Sequence, residues 1–127
     1  MATERKPQYW VVGASWGGVD DQAPRFVENS MWMLGHGDGP QVKLAEQMKP
    51  GDRIAIKKMM GRGQSTIRIT HVGIIKGVVT DASNVICSVD WVACNLDREV
   101  EAKGRGSFQS VLGPLSHGPW VEKVFCL

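Results

Sequence analysis

The sequence predicts a single α+β domain, an open β-barrel of about six mostly antiparallel strands with two short helices near the N-terminus. Three observations support this fold class. The chain has 127 residues, the length of one domain. Most of its apolar segments are short, β-branched and bounded by glycine, proline or asparagine, as strands are. Apolar residues at helical spacing occur mainly before residue 50, which limits the predicted helices to that part of the chain.

The first strand and the first helix are predicted close to the N-terminus. Gln8–Ala14 combines aromatic and β-branched side chains around a closing glycine, which favours a strand. Asp20 or Asp21 can cap a following helix that has Pro24 in its first turn, where proline is tolerated. This helix is expected to end at about Asn29.

A second short helix is predicted over Gln41–Met48, where apolar residues fall at helical spacing. The turn that follows contains Pro50, Gly51 and Asp52. Gly51 can adopt a positive φ angle there, and Asp52 can accept hydrogen bonds from backbone amides. We interpret this Gly-Asp pair as a structural turn that carries no ligand chemistry of its own.

The rest of the chain is predicted to form strands, on the basis of alternating or β-branched apolar residues. The five segments are Arg53–Lys58, Thr66–Thr80, Val85–Ala93, Arg98–Ala102 and Trp120–Phe125. The second of them is long for a strand and is expected to bend near Gly73 and Gly77. Together with Gln8–Ala14, these segments supply the six strands.

Charge is unevenly distributed along these strands. Between Gly51 and Thr80 there are six basic residues and one acidic residue, whereas between Asp81 and Glu101 there are five acidic residues and one basic residue. A basic sheet face attracts phosphate groups and steers nucleic acids towards the protein. The alternative interpretation is a solvated face whose lysines and arginines protect strand edges from pairing.

Several classes of protein are disfavoured by composition. No apolar run is long enough to cross a membrane, and the N-terminus lacks the apolar core of a secretion signal. The three cysteines form no C-x-x-C pair, and the three histidines are scattered, so neither a metal site nor a cofactor is expected. Cys87 and Cys126 lie in apolar contexts typical of buried free thiols. These features fit a reduced, cytoplasmic protein.

Three stretches of the chain form a recognisable pattern. They read Y-W-V-V-G-A-S-W-G-G from Tyr9, F-V-E-N-S-M-W from Phe26, and M-K-P-G-D-R-I-A-I-K-K from Met48, the last preceding an I-x-x-V-G-I-I strand. This pattern resembles the PUA-like superfamily, and within it EVE-type domains and the N-terminal domains of some modification-dependent restriction ATPases. The resemblance extends from about Gln8 to Phe125 and implies one domain over residues 1–127.

The resemblance implies a non-catalytic domain that holds a modified or flipped nucleobase in an aromatic pocket between the barrel and the first helix. Such a pocket needs flat side chains for stacking, hydrogen-bond partners for the base edge and cations for the backbone. The residues that could supply them are Ser15, Trp16, Trp32, Lys57, Lys58 and Phe108. Since relatives with this pattern are commonly fused to nucleases or ATPases, the expected partners are a nucleic acid, DNA or RNA, and a separate effector protein.

Several of these candidates also have a structural interpretation. Trp16 lies in a glycine-rich loop and is the strongest stacking candidate, with Ser15 beside it to contact the base edge. Trp32 could instead pack as a staple between the helix and the barrel, and Phe108 could belong to the core. Lys57 and Lys58 are the candidates for phosphate contact, with a solvated strand face as the alternative.

Two other function classes remain open from the sequence. A small hydrolase acting on RNA or nucleotides is one, although Ser15 lacks a G-x-S-x-G context and no glycine-rich segment matches a Walker A loop. A protein-interaction or assembly module without nucleic-acid contact is the other. An aromatic pocket beside a basic face would favour nucleic acid, whereas a flat apolar patch would favour a protein partner.

Overall fold

The computed structural model describes residues 6–16, 20–34, 39–59, 65–81, 84–102 and 111–126, which form a mixed α+β fold made mostly of strands. Its helices are α1 (Ala23–Glu28), α2 (Gly39–Ala45) and α3 (Pro119–Phe125). Its strands are β1 (Tyr9–Gly13), β2 (Ser15–Trp16), β3 (Asp20–Asp21), β4 (Met31–Met33), β5 (Arg53–Met59), β6 (Thr66–Asp81), β7 (Asn84–Ala93), β8 (Arg98–Glu101) and β9 (Val111–Leu115).

Seven of the described strands form one sheet in the order β4-β7-β6-β5-β1-β9, with β8 paired to β6. Strands β4 and β9 end this path without pairing to each other, so the described sheet is open. All neighbours are antiparallel except β1 and β5, which are parallel because the chain crosses over through α1, β4 and α2 between them. The predicted α+β class and the mostly antiparallel pairing are confirmed.

The long strand β6 organises the sheet, since it pairs with β5, β7 and β8. Its register with β7 shifts between Val72 and Gly73 and again between Ile75 and Gly77, close to the two predicted bends. Gly73 is required at the first of these, because an added Cβ would lie 2.7 Å from Val89 Cγ1 and 2.8 Å from Asp90 O. The bend lets β8 take over the pairing of the first part of β6, over Thr66–Ile69.

The prediction of a final strand over Trp120–Phe125 is wrong, because these residues belong to helix α3. Pro119 lies in the first turn, where its missing N–H leaves no bond unmade. The buried side chains are Val121, Val124 and Phe125, an i, i+3, i+4 pattern that a helix presents on one face. The segment reads W-V-E-K-V-F, and its apolar residues, which flank Glu122 and Lys123, do not alternate as those of a half-buried strand do.

Other differences concern short elements and boundaries. The segments β2, β3, β4 and β9 were not predicted as strands, so Trp16 lies in a strand rather than in the predicted loop. Helices α1 and α2 begin and end within a few residues of the predicted bounds. Gln22, rather than an aspartate, is the N-cap residue of α1. Asp21 nevertheless accepts a hydrogen bond from the backbone N–H of Ala23, 3.0 Å away, so its carboxylate still satisfies an amide of the first turn.

The core is divided between the two faces of the sheet. Alternate residues of β1 separate the halves: Trp10 and Val12 belong to one buried cluster, and Tyr9 and Val11 to the other. The first cluster includes Phe26 of α1 and Trp32 of β4; the second includes the buried face of α3. Helices therefore cover both faces of the sheet.

The turn before β5 is fixed by Asp52, whose side chain is fully buried. Its carboxylate accepts hydrogen bonds from Gln8 N (3.0 Å), Trp10 Nε1 (3.0 Å) and Lys49 N (3.1 Å). Gly51 has a φ angle of +95°, which favours glycine. The predicted structural roles of Gly51 and Asp52 are confirmed, and the carboxylate also ties β1 to β5.

Cys87, Cys94 and Cys126 are free thiols. Burial, aided by the charge of Asp52, raises the pKa of Cys87 to about 12. Cys126 is exposed, contrary to prediction, because it is the C-cap of α3 and lies past the buried face of that helix. Within the described ranges, no helix has the length and apolarity needed to span a bilayer.

Candidate ligand-binding pocket

A pocket of about 490 Å³ lies between helix α1 and the sheet, on the side where β1 ends. Its apolar wall comes from Ala23, Pro24 and Val27 of α1. The lining also includes residues of β5 and β6, and residues 94–97, which follow β7. This is the region, between the first helix and the sheet, where the sequence resemblance implies a pocket.

Lys57 lies in this pocket and is only 7% exposed. It follows a register shift between Ile56 and Lys57 in the pairing of β5 with β6, and Ile56, Lys57 and Lys58 all line the pocket. Such irregularities re-aim side chains locally. Burial lowers the pKa of Lys57 to about 8, since the charged ammonium loses its hydration. Among the residues that the structure describes, none forms a hydrogen bond or an ion pair with its side chain.

His71 is the second buried polar residue of the pocket. Its Nδ1 atom is 2.8 Å from Thr70 Oγ1, and the Thr70 hydroxyl donates to Ile56 O at 3.4 Å. Because a hydroxyl has one proton, we assign Nδ1–H as the donor to Thr70, which leaves Nε2 as an acceptor. Burial lowers the pKa of His71, although the charge of Asp21 acts in the opposite direction, so the ring is neutral near pH 7. A histidine that activates a hydroxyl nucleophile accepts the proton of the hydroxyl, whereas His71 donates a hydrogen bond to the Thr70 hydroxyl.

Two carboxylates and two further cations complete the polar lining. Asp21 is exposed and uses Oδ1 to accept from Ala23 N. Arg68 Nε lies 2.9 Å from Asp97 Oδ1, with both side chains substantially exposed, so this ion pair contributes little stability. Lys58 is exposed at the edge of the pocket. The pocket thus has one desolvated cation inside and a mixed set of charges around its opening.

The structure brings together only part of the predicted site. Lys57 and Lys58 both line the pocket. Trp32 is fully buried, and its Nε1 donates to Gly13 O at 3.0 Å, so no ring face is open to a ligand. Its position corresponds to the packing alternative, a staple between α1 and the sheet, and it is left out of the site proposed below.

The other three candidates are described incompletely or not at all. Ser15 and Trp16 form strand β2, which pairs with β3 at Asp21 and Asp20, but their side chains lie outside the described part. Since Ala14 and Asp21 both line the pocket, the backbone of β2 begins at its edge. Phe108 lies outside the described residues.

Sequence reasoning did not single out Asp21, Thr70, His71 or residues 94–97 as site residues. They come from β3, from the middle of β6 and from the segment after β7, and only the pairing of β5 with β6 and the bend of β6 bring them together. Arg68 was counted in the basic stretch but not assigned to a site. The one usable signal was that excess of basic residues, because it includes Lys57, Lys58 and Arg68.

The arrangement is suited to binding a polar ligand. Within the described ranges, no group of three His, Cys, Asp or Glu side chains could hold a metal ion. No protein-family model matches the sequence, and no curated protein is significantly similar to it.

Proposed function

We propose that this protein is a non-catalytic nucleic-acid-binding module of the PUA-like, EVE type, with the open barrel that this family implies. It holds one nucleobase, flipped out of a duplex or taken from a single strand, in the pocket between α1 and the sheet. Any chemical step would be supplied by a separate effector protein. The observation that carries the proposal is Lys57, a buried ammonium in a pocket with no partner among the described residues.

A buried cation without a partner is unfavourable in the free protein, because the charge has lost its hydration and gained no hydrogen bond. The lowered pKa of Lys57 expresses this penalty. A ligand that offers acceptor atoms to the ammonium removes this penalty. Perturbed ionisable groups in concave sites are therefore candidates for binding roles, and this one lies in a pocket of suitable size.

The shape of the pocket fits a base better than a bare anion. Its volume of about 490 Å³ lies within the roughly 300–1,000 Å³ of small-molecule sites. Ala23, Pro24 and Val27 offer an apolar wall against which a planar ring can lie. In the proposal, Trp16 adds the aromatic stacking surface, and Ser15 lies next to it.

The cations at the opening suit the sugar-phosphate backbone. Lys58 is exposed, and Arg68 is only partly neutralised by Asp97, so both can approach phosphate oxygens while Lys57 contacts the base. Phosphate contacts set affinity and its salt dependence, whereas base contacts set specificity. Separate roles are therefore expected for two adjacent lysines.

The proposal is tested by measuring the affinity for fluorescent single-stranded DNA and RNA as a function of salt concentration, using anisotropy. Lys58→Met should weaken binding to every sequence and reduce the slope of log K against log salt by about 0.7–0.9. Lys76→Met is the matched control, since Lys76 is exposed on β6 and does not line the pocket. Absence of binding by the unmodified protein to DNA and RNA at low salt would overturn the proposal.

The protein-interaction alternative has less support among the described residues. Its exposed large hydrophobics are Val79 (62% exposed) and Val92 (60%). Val79 pairs with Ile86, six positions before Val92 on β7, so the two valines are about 20 Å apart along the strands. Single exposed valines at this separation do not form an apolar patch, and isolated ones are common on protein surfaces.

A further inference from the structure

Building on the proposed function, we infer that the base accepted by the pocket is guanine, with its O6 and N7 atoms on Lys57 and its N1–H and N2 amino edge towards Asp21. The identity of the base follows from the hydrogen-bonding groups that the pocket provides and from those that are already used within the protein.

The first step concerns Lys57. An ammonium has three N–H donors and accepts nothing. Lys57 is 7% exposed and has no hydrogen-bond or ion-pair partner within the described ranges, so its donors are available to a ligand that offers acceptors. Guanine presents two neighbouring acceptors, O6 and N7, on its major-groove edge. On the same edge, adenine sets an amino donor beside N7, and thymine or uracil presents O4 alone. Flipped-out cytosine offers the neighbouring acceptors N3 and O2, but it has one amino group and no ring N–H, so it lacks the paired donors of guanine.

The second step concerns Asp21, which lines the same pocket and forms no ion pair with Lys57. Its Oδ1 accepts from Ala23 N, and a carboxylate has further lone pairs for a ligand. Guanine carries N1–H and its N2 amino group on the edge next to O6, and a carboxylate can accept from both. The assigned Nε2 acceptor of His71 adds to the acceptor side of the pocket.

A small anion would fit only part of this lining. Lys57, Lys58 and Arg68 would attract a phosphate, whereas Asp21 and Asp97, which line the same pocket, would repel it. A neutral base with acceptors on one edge and donors on the next meets both charges favourably. The lining therefore favours a ligand that has hydrogen-bond acceptors on one edge and donors on the neighbouring edge.

The test uses a short deoxyadenosine oligonucleotide with one variable central base, measured by anisotropy at fixed salt. A central guanine should bind roughly 10-fold more tightly than a central adenine. 7-Deazaguanine, which keeps O6 but lacks N7, should lose several-fold of this preference. Hypoxanthine, which lacks the N2 amino group, should lose a smaller part of it.

Two variants attribute the preference to the proposed contacts. Lys57→Met should bring guanine binding down to the adenine level, whereas Lys58→Met should weaken both bases equally and keep their ratio. Asp21→Asn should remove the difference between guanine and hypoxanthine. Thermal melting of each variant confirms that it is folded, and Lys57→Met is expected to fold because it removes a buried charge.

The outcomes separate this inference from the proposed function. Equal binding of all central bases, with a normal salt dependence, would overturn the guanine assignment and leave the proposed function standing. Displacement of the oligonucleotide by excess inorganic phosphate in a Lys57-dependent manner would likewise overturn it, because Lys57 would then be an anion site. No binding of any oligonucleotide would overturn both.

Discussion

Asp52 and Lys57 are charged, buried residues close together in the chain, yet their surroundings are opposite. Asp52 is fully buried and, within the described part of the chain, accepts hydrogen bonds from two backbone amides and one indole. Lys57 is nearly as buried and has no partner among the described residues. The contrast separates a polar group that holds the fold together from one that is available to a ligand.

The difference has a local structural cause. Asp52 ends the turn before β5, where the chain reverses and leaves backbone amides that need an acceptor. Lys57 lies beyond a register shift, at the point where β5 borders the space under α1. A carboxylate at a turn finds amide donors from the fold itself, whereas an ammonium needs acceptors, and the pocket supplies none that reaches it.

The largest effect on stability is expected from removing the carboxylate of Asp52, whose hydrogen bonds are satisfied within the fold. Asp52→Ala leaves two amides and the Trp10 indole N–H without their acceptor, and each unsatisfied buried donor costs about 1–3 kcal/mol. We expect the free energy of unfolding to fall by roughly 3–5 kcal/mol in urea denaturation. Asp97→Ala is the control, since its exposed ion pair is worth at most about 1 kcal/mol. If Asp52→Ala lowers the free energy of unfolding by less than the control does, Asp52 does not stabilise the turn.

Removing the ammonium of Lys57, which has no partner among the described residues, is expected to change stability in the opposite direction. The pKa of Lys57 is lowered in the folded state from 10.5 to about 8, so the unfolded chain binds more protons between these values and stability rises with pH across that window. Below pH 8, Lys57→Met should therefore stabilise the protein by up to about 3 kcal/mol, and the gain should vanish above about pH 10.5. Unfolding free energies at pH 7 and pH 10.5 measure both limits.

Lys58→Met is the matched control for this experiment, because Lys58 neighbours Lys57 and is exposed. Its effect on stability should stay within about 0.5 kcal/mol. If Lys57→Met destabilises the protein at pH 7, the ammonium has a favourable partner, and the contrast with Asp52 fails.

The same two residues show how far the sequence could be interpreted. The role of Asp52 was predicted because Gly-Asp turn chemistry is local and needs no knowledge of the fold. Lys57 and Lys58 were chosen through the resemblance and the local charge, but the burial that distinguishes one from the other depends on α1 and on the register shift. His71 and residues 94–97 reach the pocket only through the pairing of β6, which no local pattern specifies.

Short apolar segments were the other source of error, because they satisfy more than one structure. Trp120–Phe125 has β-branched and aromatic residues, which are common in strands, but the segment forms a helix because Val121, Val124 and Phe125 bury a common face. Trp32 was assigned to a pocket by analogy, whereas its indole N–H has an internal acceptor in Gly13. In both cases the partner that decided the outcome is distant in the sequence.

The smallest effect extends the comparison to Trp16 and Trp32, the two tryptophans named above as candidates for the aromatic pocket. Trp32→Phe keeps most of the buried ring but leaves Gly13 O without its donor, so stability should fall by about 1–2 kcal/mol and affinity for oligonucleotides should not change. Trp16→Ala should do the reverse, lowering affinity roughly 5- to 150-fold through lost stacking while the melting temperature is nearly preserved. Both quantities are measured on each variant. If Trp16→Ala unfolds the domain, or if Trp32→Phe weakens binding without loss of stability, the division between a satisfied core and an available pocket does not hold for the aromatic residues.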